Sequence, residues 1–161
     1  MGRGGSGSGV VISADELVVS NAHVVSRNEK LDVALLQLEP YTGKLPDLIP
    51  IAIGDSRAVR PGQWVIAMGH PWGVAEAAAR GIVVEGGSDL PESPGAEREW
   101  IAVDLALRPW YSGGPLVDHQ GKLIGLMAGL EVGTADPYHV TKGFVAKAIS
   151  ADARESDTTR G

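Results

Sequence analysis

The chain contains no cysteine, which excludes a disulfide framework and thiolate chemistry and leaves the compartment open. It also lacks any basic run or stripe. Its formal net charge is −6 at pH 7, so the electrostatic footprint of a nucleic-acid binder is missing and no nucleic acid is expected as a partner. No apolar stretch approaches the length needed to span a bilayer, so no membrane segment is expected in this chain. Residues 1–9 carry Gly and Ser where a secretory leader has an apolar stretch. No signal peptide is therefore expected here.

What the chain does have is apolar content and turn formers. Its 161 residues suit one ordinary domain or two small subdomains, and 43% apolar against 21% charged residues suffices for a packed core. Gly (22) and Pro (10) are abundant, which favours a turn-rich β protein over a helical one.

Short apolar, β-branched runs recur along the chain at 10–12, 17–19 and 33–38, and again at 64–68, 79–85, 100–104, 116–117, 123–127 and 142–146. Ser13-Ala14-Asp15-Glu16 between the first two marks a hairpin turn. A Pro-rich connection with Pro40, Pro46 and Pro50 follows the third run. Gly- and Pro-rich turns separate the later runs, around Gly69-His70-Pro71, 86–95, 118–121 and 131–137. This spacing predicts an all-β barrel or sandwich. The one helical stretch expected is 146–154, near the C-terminus. The expected division is a flexible lead over 1–8, a first half over 9–61, a second half over 62–149 and a tail over 150–161.

The sharpest chemical signal is Ser112-Gly113-Gly114-Pro115. A serine followed by two glycines sits in a tight turn where backbone can approach a substrate closely. Its hydroxyl needs a base to become a nucleophile. His23, in Asn21-Ala22-His23-Val24-Val25, is the leading base. Asp32, in Leu31-Asp32-Val33-Ala34-Leu35-Leu36, is the leading group to orient it. The order His, Asp, Ser is one of the orders in which such a triad occurs. Each piece also has a plain reading: a turn serine, a strand-end histidine, a solvated aspartate. His70, His119 and His139 lack metal-ligand spacing and read as turn residues. Asp89, Glu92, Glu97 and Glu99 read as a solvated loop face.

Taken together and in order, these segments resemble the HtrA/Deg branch of the trypsin-like, chymotrypsin-fold serine proteases. Residues 7–13 look like that family's opening strand. The His23 and Asp32 segments are similar to its histidine and aspartate motifs, and Gly69-His70-Pro71-Trp72-Gly73 resembles the turn opening its second barrel. Residues 104–125 resemble its serine motif and following hairpin, and Gly143-Phe144-Val145 its last strand. The resemblance implies two antiparallel β-barrels with the active site between them, and endoproteolysis by acyl transfer with no metal or cofactor. It further implies that the backbone N–H groups of Trp110 and Ser112 form the oxyanion hole. Ala106 and Leu107 would then line the pocket for the residue before the scissile bond, and Ala128, Gly129 and Leu130 would pair with substrate backbone. No charge falls at these positions, so small or medium apolar side chains of an unfolded or extended polypeptide are the expected preference. A homo-oligomer is left open.

Three features depart from the family pattern. Trp110-Tyr111 stands where the family has Gly-Asn or Gly-Asp before the serine, and the pair reads as packing residues or as a lid over the nucleophile. Tryptophan resists backbone shapes that glycine allows, and losing one oxyanion donor costs about 10²–10³ in turnover. Eight residues separate His23 from Asp32, far fewer than in the family. No strand is expected before Gly7, so the first barrel retains about half its strands. The rival expectation is therefore a pseudoprotease or peptide-binding module with an impaired oxyanion hole, and a third is an esterase. A PDZ domain often follows the protease domain in this family; none is expected within this chain.

Overall fold

The structure is a computed structural model that describes residues 7–21, 33–39, 48–70, 77–87, 100–105, 111–128 and 143–146. Among the described residues nine strands form, one at each of the apolar runs read from the sequence, and they assemble into two sheets. Among the described residues there is no α-helix; the helix expected over 146–154 begins on the last residue of the final strand and otherwise lies outside them.

The first sheet contains β1 (Val10–Val11), β2 (Leu17–Ser20) and β3 (Ala34–Gln37), antiparallel in that order. Val10 faces Val19 across β1 and β2, and Ser20 faces Ala34 across β2 and β3. The β1–β2 turn is the predicted one. Ser13 Oγ accepts the Asp15 N–H at 2.9 Å, and the Ile12 N–H reaches Leu17 O at 2.9 Å. Glu16 closes it with φ 63°, an unusual conformation for a residue with a Cβ.

The second sheet contains β4 (Trp64–Gly69), β5 (Ala77–Gly87), β6 (Trp100–Asp104), β7 (Pro115–Asp118), β8 (Leu123–Met127) and β9 (Gly143–Ala146). It closes into a barrel in the order β4-β5-β6-β9-β8-β7. Closure leaves no free edge, which removes the main hazard of an isolated sheet. β5 runs further at both ends than its apolar core suggested, because it serves two neighbours in succession. Residues Ala77 to Ile82 pair with β4, and Ile82 to Gly87 with β6, with a bulge between Val83 and Glu85 where the strand bends. Gly81 sits at this changeover, where a Cβ would collide with Asp104 O.

Strict alternation on β4 sends Val65 and Ala67 into the barrel and Trp64, Ile66 and Met68 outward. The barrel core is Val65, Ala67, Val83, Ile101, Val103, Leu105, Tyr111, Leu116, Ile124 and Met127. β8 differs from β4 in being buried along its whole length. Ile124 and Met127 face the barrel interior, while Leu123 and Leu126 pack against Val10 and Val19 of the first sheet. A strand covered on both faces reads as a continuous apolar run, as residues 123–127 do.

The segment joining the two sheets binds both. The Ile51 N–H reaches Val11 O at 2.9 Å, and Ile53 forms a parallel bridge with Leu123. Ala52 O and the Gly54 N–H then bond Leu123 on either side, each at 2.8 Å. Ile51 also packs into the core shared by the sheets. The first sheet therefore has a fixed seat on the barrel, beside the start of β7.

Candidate active site

Ser112 lies in the turn that enters β7. The Gly114 N–H bonds Tyr111 O at 2.9 Å, and Gly113 has φ +79°. A positive φ at the third residue of a four-residue turn is the type II pattern, and glycine adopts it without steric cost. The two glycines have separate reasons. A Cβ on Gly113 would strike Ser8 O and the Ser20 hydroxyl, and one on Gly114 would strike Met68 O. The turn thus lies tight between β4 on one side and the first sheet on the other. Ser112 itself is only half-buried, so its hydroxyl sits in a rigid turn within reach of solvent.

Three residues in or flanking the first sheet hold this turn. The Ser8 N–H donates to Ser112 O at 2.8 Å, and Ser20 Oγ donates to Ser8 O at 2.7 Å. Asn21, fully buried at the end of β2, accepts the Gly113 N–H through Oδ1 at 2.5 Å. The same N–H also reaches Met127 O at 2.8 Å, and Gly114 O accepts the Met127 N–H at 2.8 Å. The turn is thereby tied to β8 as well.

Ser8, Ser20 and Asn21 were not singled out as site residues in the sequence. Ser20 and Asn21 carried a signal, being two polar residues in succession at the end of a β-branched run and just ahead of a histidine. Buried polar groups without partners are costly, so such a pair implies partners elsewhere in the fold. Tyr111 is the other addition. The sequence left it as a packing residue or a lid over the serine. It is a packing residue, 6% exposed and part of the barrel core. Ala128 follows β8 and is half-buried. His23, Asp32, Ala106, Leu107, Trp110, Gly129 and Leu130 lie outside the described residues. Among the described residues no cluster of His, Asp or Glu is arranged to hold a metal ion, and no helix is long and apolar enough to cross a membrane.

The trypsin-like peptidase domain family matches residues 24–126. A probable periplasmic serine endoprotease, DegP-like, from Marinomonas sp. is 34% identical over 140 residues, covering 77% of this chain and 29% of its own. The serine protease HTRA1A of Danio rerio is 31% identical over 183 residues, covering 96% of this chain and 37% of its own. The chain thus spans about a third of the length of these curated relatives. The solved structure of the HtrA-type protease AlgW with a decapeptide superposes with a TM-score of 0.70 at 26% identity, covering 88% of this chain and 47% of that one. The barrel with its docked antiparallel sheet, the glycine-backed serine turn at their junction and these likenesses agree, and the chain belongs to the trypsin-like peptidase family, in its HtrA/Deg branch.

Proposed function

We propose that this domain is a serine endopeptidase that cleaves extended or unfolded polypeptides by acyl transfer. Ser112 is the nucleophile, His23 the general base and Asp32 the group that orients it. The observation that carries this reading is the seat of the Ser112 turn. It is gripped by Asn21, which follows β2 and stands two positions before His23 in sequence. Two peptide units separate Asn21 from His23, a span of at most about 7 Å. That short span supports His23 as the base that serves Ser112.

In this reaction His23 takes the proton of Ser112 Oγ as Oγ bonds to the substrate carbonyl carbon. The carbonyl oxygen becomes an oxyanion facing the N–H groups of Ser112 and Trp110. Collapse breaks the C–N bond, and the departing amine takes the proton from His23. A water molecule then repeats the sequence on the acyl-enzyme and frees Ser112. Ala106 and Leu107 shape the pocket before the scissile bond, and Ala128, Gly129 and Leu130 pair with substrate backbone. These apolar positions favour small or medium apolar residues at the cut. The AlgW structures with peptides bound support a polypeptide as the substrate class.

A second reading, a peptide-binding pseudoprotease, is favoured by one feature, Trp110 at the oxyanion glycine position. A fluorophosphonate probe separates the two, because it labels an activated serine alone. Labelling that disappears in Ser112→Ala supports the peptidase. A folded wild-type chain that takes no label, yet binds extended peptides, supports the pseudoprotease.

A further inference from the structure

We propose that Asn21 is a positioning residue for the nucleophile, whose carboxamide sets the orientation of the Ser112–Gly113 peptide. The inference rests on the reading of Ser112 as nucleophile and names a residue that acts through it.

The Ser112–Gly113 peptide is held by the first sheet at both of its polar ends. Its carbonyl accepts the Ser8 N–H, and its N–H donates to Asn21 Oδ1. A planar peptide has one easy motion, rotation about the axis joining its two Cα atoms. Bonds on opposite edges of the plane stop that rotation. The plane in turn sets ψ of Ser112 and φ of Gly113, and so the frame from which Cβ and Oγ of Ser112 project. Ser8 O, on the far side, is itself fixed by the Ser20 hydroxyl. Two consecutive residues thus hold the turn, Ser20 at the end of β2 through Ser8 and Asn21 just after it directly.

The chemistry of position 21 suits this task. The side chain is fully buried, where an ionised group would be costly and an apolar group would leave the Gly113 N–H with Met127 O alone. A neutral carboxamide supplies a strong acceptor without charge. The bond joins residues 92 apart in sequence and joins the first sheet to the barrel at the reacting side chain. Displacement of a reacting atom by about 1 Å can cost 10²-fold in rate, so a tether here acts on the chemical step and leaves substrate affinity alone.

The test uses the full chain and four forms: wild type, Asn21→Leu, Asn21→Asp and Ser56→Ala. Leucine keeps the branching at Cγ, in a larger volume, and removes the acceptor. Aspartate keeps an acceptor oxygen at the Oδ1 position, at a cost in stability from burying a carboxyl that the labelling rate does not read. Ser56 is a buried polar residue whose Oγ has no partner among the described residues, so Ser56→Ala controls for loss of a buried polar group elsewhere. Fluorophosphonate labelling at saturating probe gives the rate of the chemical step, and its concentration dependence gives affinity. Asn21→Leu is expected to slow the chemical step about 10-fold or more, with affinity changed by less than about two-fold. Asn21→Asp should recover most of the rate, and Ser56→Ala should match wild type. Hydrogen exchange at the Gly113 amide, in the same proteins, should quicken about 10-fold in Asn21→Leu relative to the Val65 amide of the barrel. If Asn21→Leu does not fold, Asn21→Ser, whose hydroxyl is too short to reach, carries the same comparison. Equal labelling rates in wild type and Asn21→Leu, or an aspartate no better than leucine, would overturn the proposal. If wild type takes no label, the reading of Ser112 as nucleophile fails, and the exchange result alone decides whether the tether exists.

Discussion

The ring of Tyr111 lies against the backbone of Gly69 at the end of β4. A methyl group on Gly69 would meet the ring at 2.9 and 3.2 Å and the Tyr111 Cα at 3.1 Å. The residue just before Ser112 is thus a member of the barrel core. It anchors the turn from the barrel side as Asn21 anchors it from the sheet.

This contact separates two substitutions that the family pattern would make together. Tyr111→Asn removes a buried aromatic ring and puts an amide in its place. It should lower unfolding free energy by about 2–4 kcal/mol, measured by urea denaturation. Unchanged stability would place the Tyr111 ring in solvent.

Trp110→Gly tests the proposed oxyanion hole and leaves Tyr111 in place. Glycine frees the backbone to aim its N–H at the developing charge, so turnover of a peptide amide should rise about 10-fold or more. The gain belongs in kcat, since the donor acts on the transition state. A folded Trp110→Gly chain with wild-type kcat would move suspicion to the short connection between His23 and Asp32.

Ser112→Ala and His23→Ala should each remove turnover, and the double substitution should be no worse than either single one. A nucleophile and its base act as a unit, so their losses do not add. Steady-state cleavage of an extended peptide measures all three. Wild-type cleavage by Ser112→Ala would end the assignment.

Gly113→Ala should be among the most damaging small changes in the chain. The new methyl would meet Ser8 O and the Ser20 hydroxyl in a backbone of φ +79°. The positive φ alone costs about 1–2 kcal/mol, and the collision adds to it. Thermal or urea unfolding would show the loss. A stability equal to wild type would mean that the first sheet does not contact the turn.

Leu126→Ala empties a fully buried position between the first sheet and β8. It should cost about 2–5 kcal/mol and loosen β1 and β2 more than the barrel. In the wild-type chain, amides of β6 and β8 should already exchange more slowly than those of β1 and β2, because the closed barrel has no free edge. Equal protection of the two sheets would argue that they unfold as one unit.

The nine strands of the described residues were legible in the sequence because each is a short apolar run punctuated by turn formers, and that pattern is local. The Ser13 to Glu16 hairpin and the tight Ser112 turn were legible for the same reason. So was the nucleophile candidate, since a serine backed by two glycines announces itself within a few residues. Tertiary structure decided what the local pattern leaves open. Leu123 and Leu126 face one core and Ile124 and Met127 another, although all belong to one apolar run. Tyr111 is a core residue and not a lid, which follows from its burial and its approach to Gly69 on the neighbouring strand β4. Asn21 looked like one polar letter in a histidine motif, and its partner lies 92 residues away. A hydrogen bond between distant segments leaves no periodicity in either one, so only the folded chain can show which groups meet.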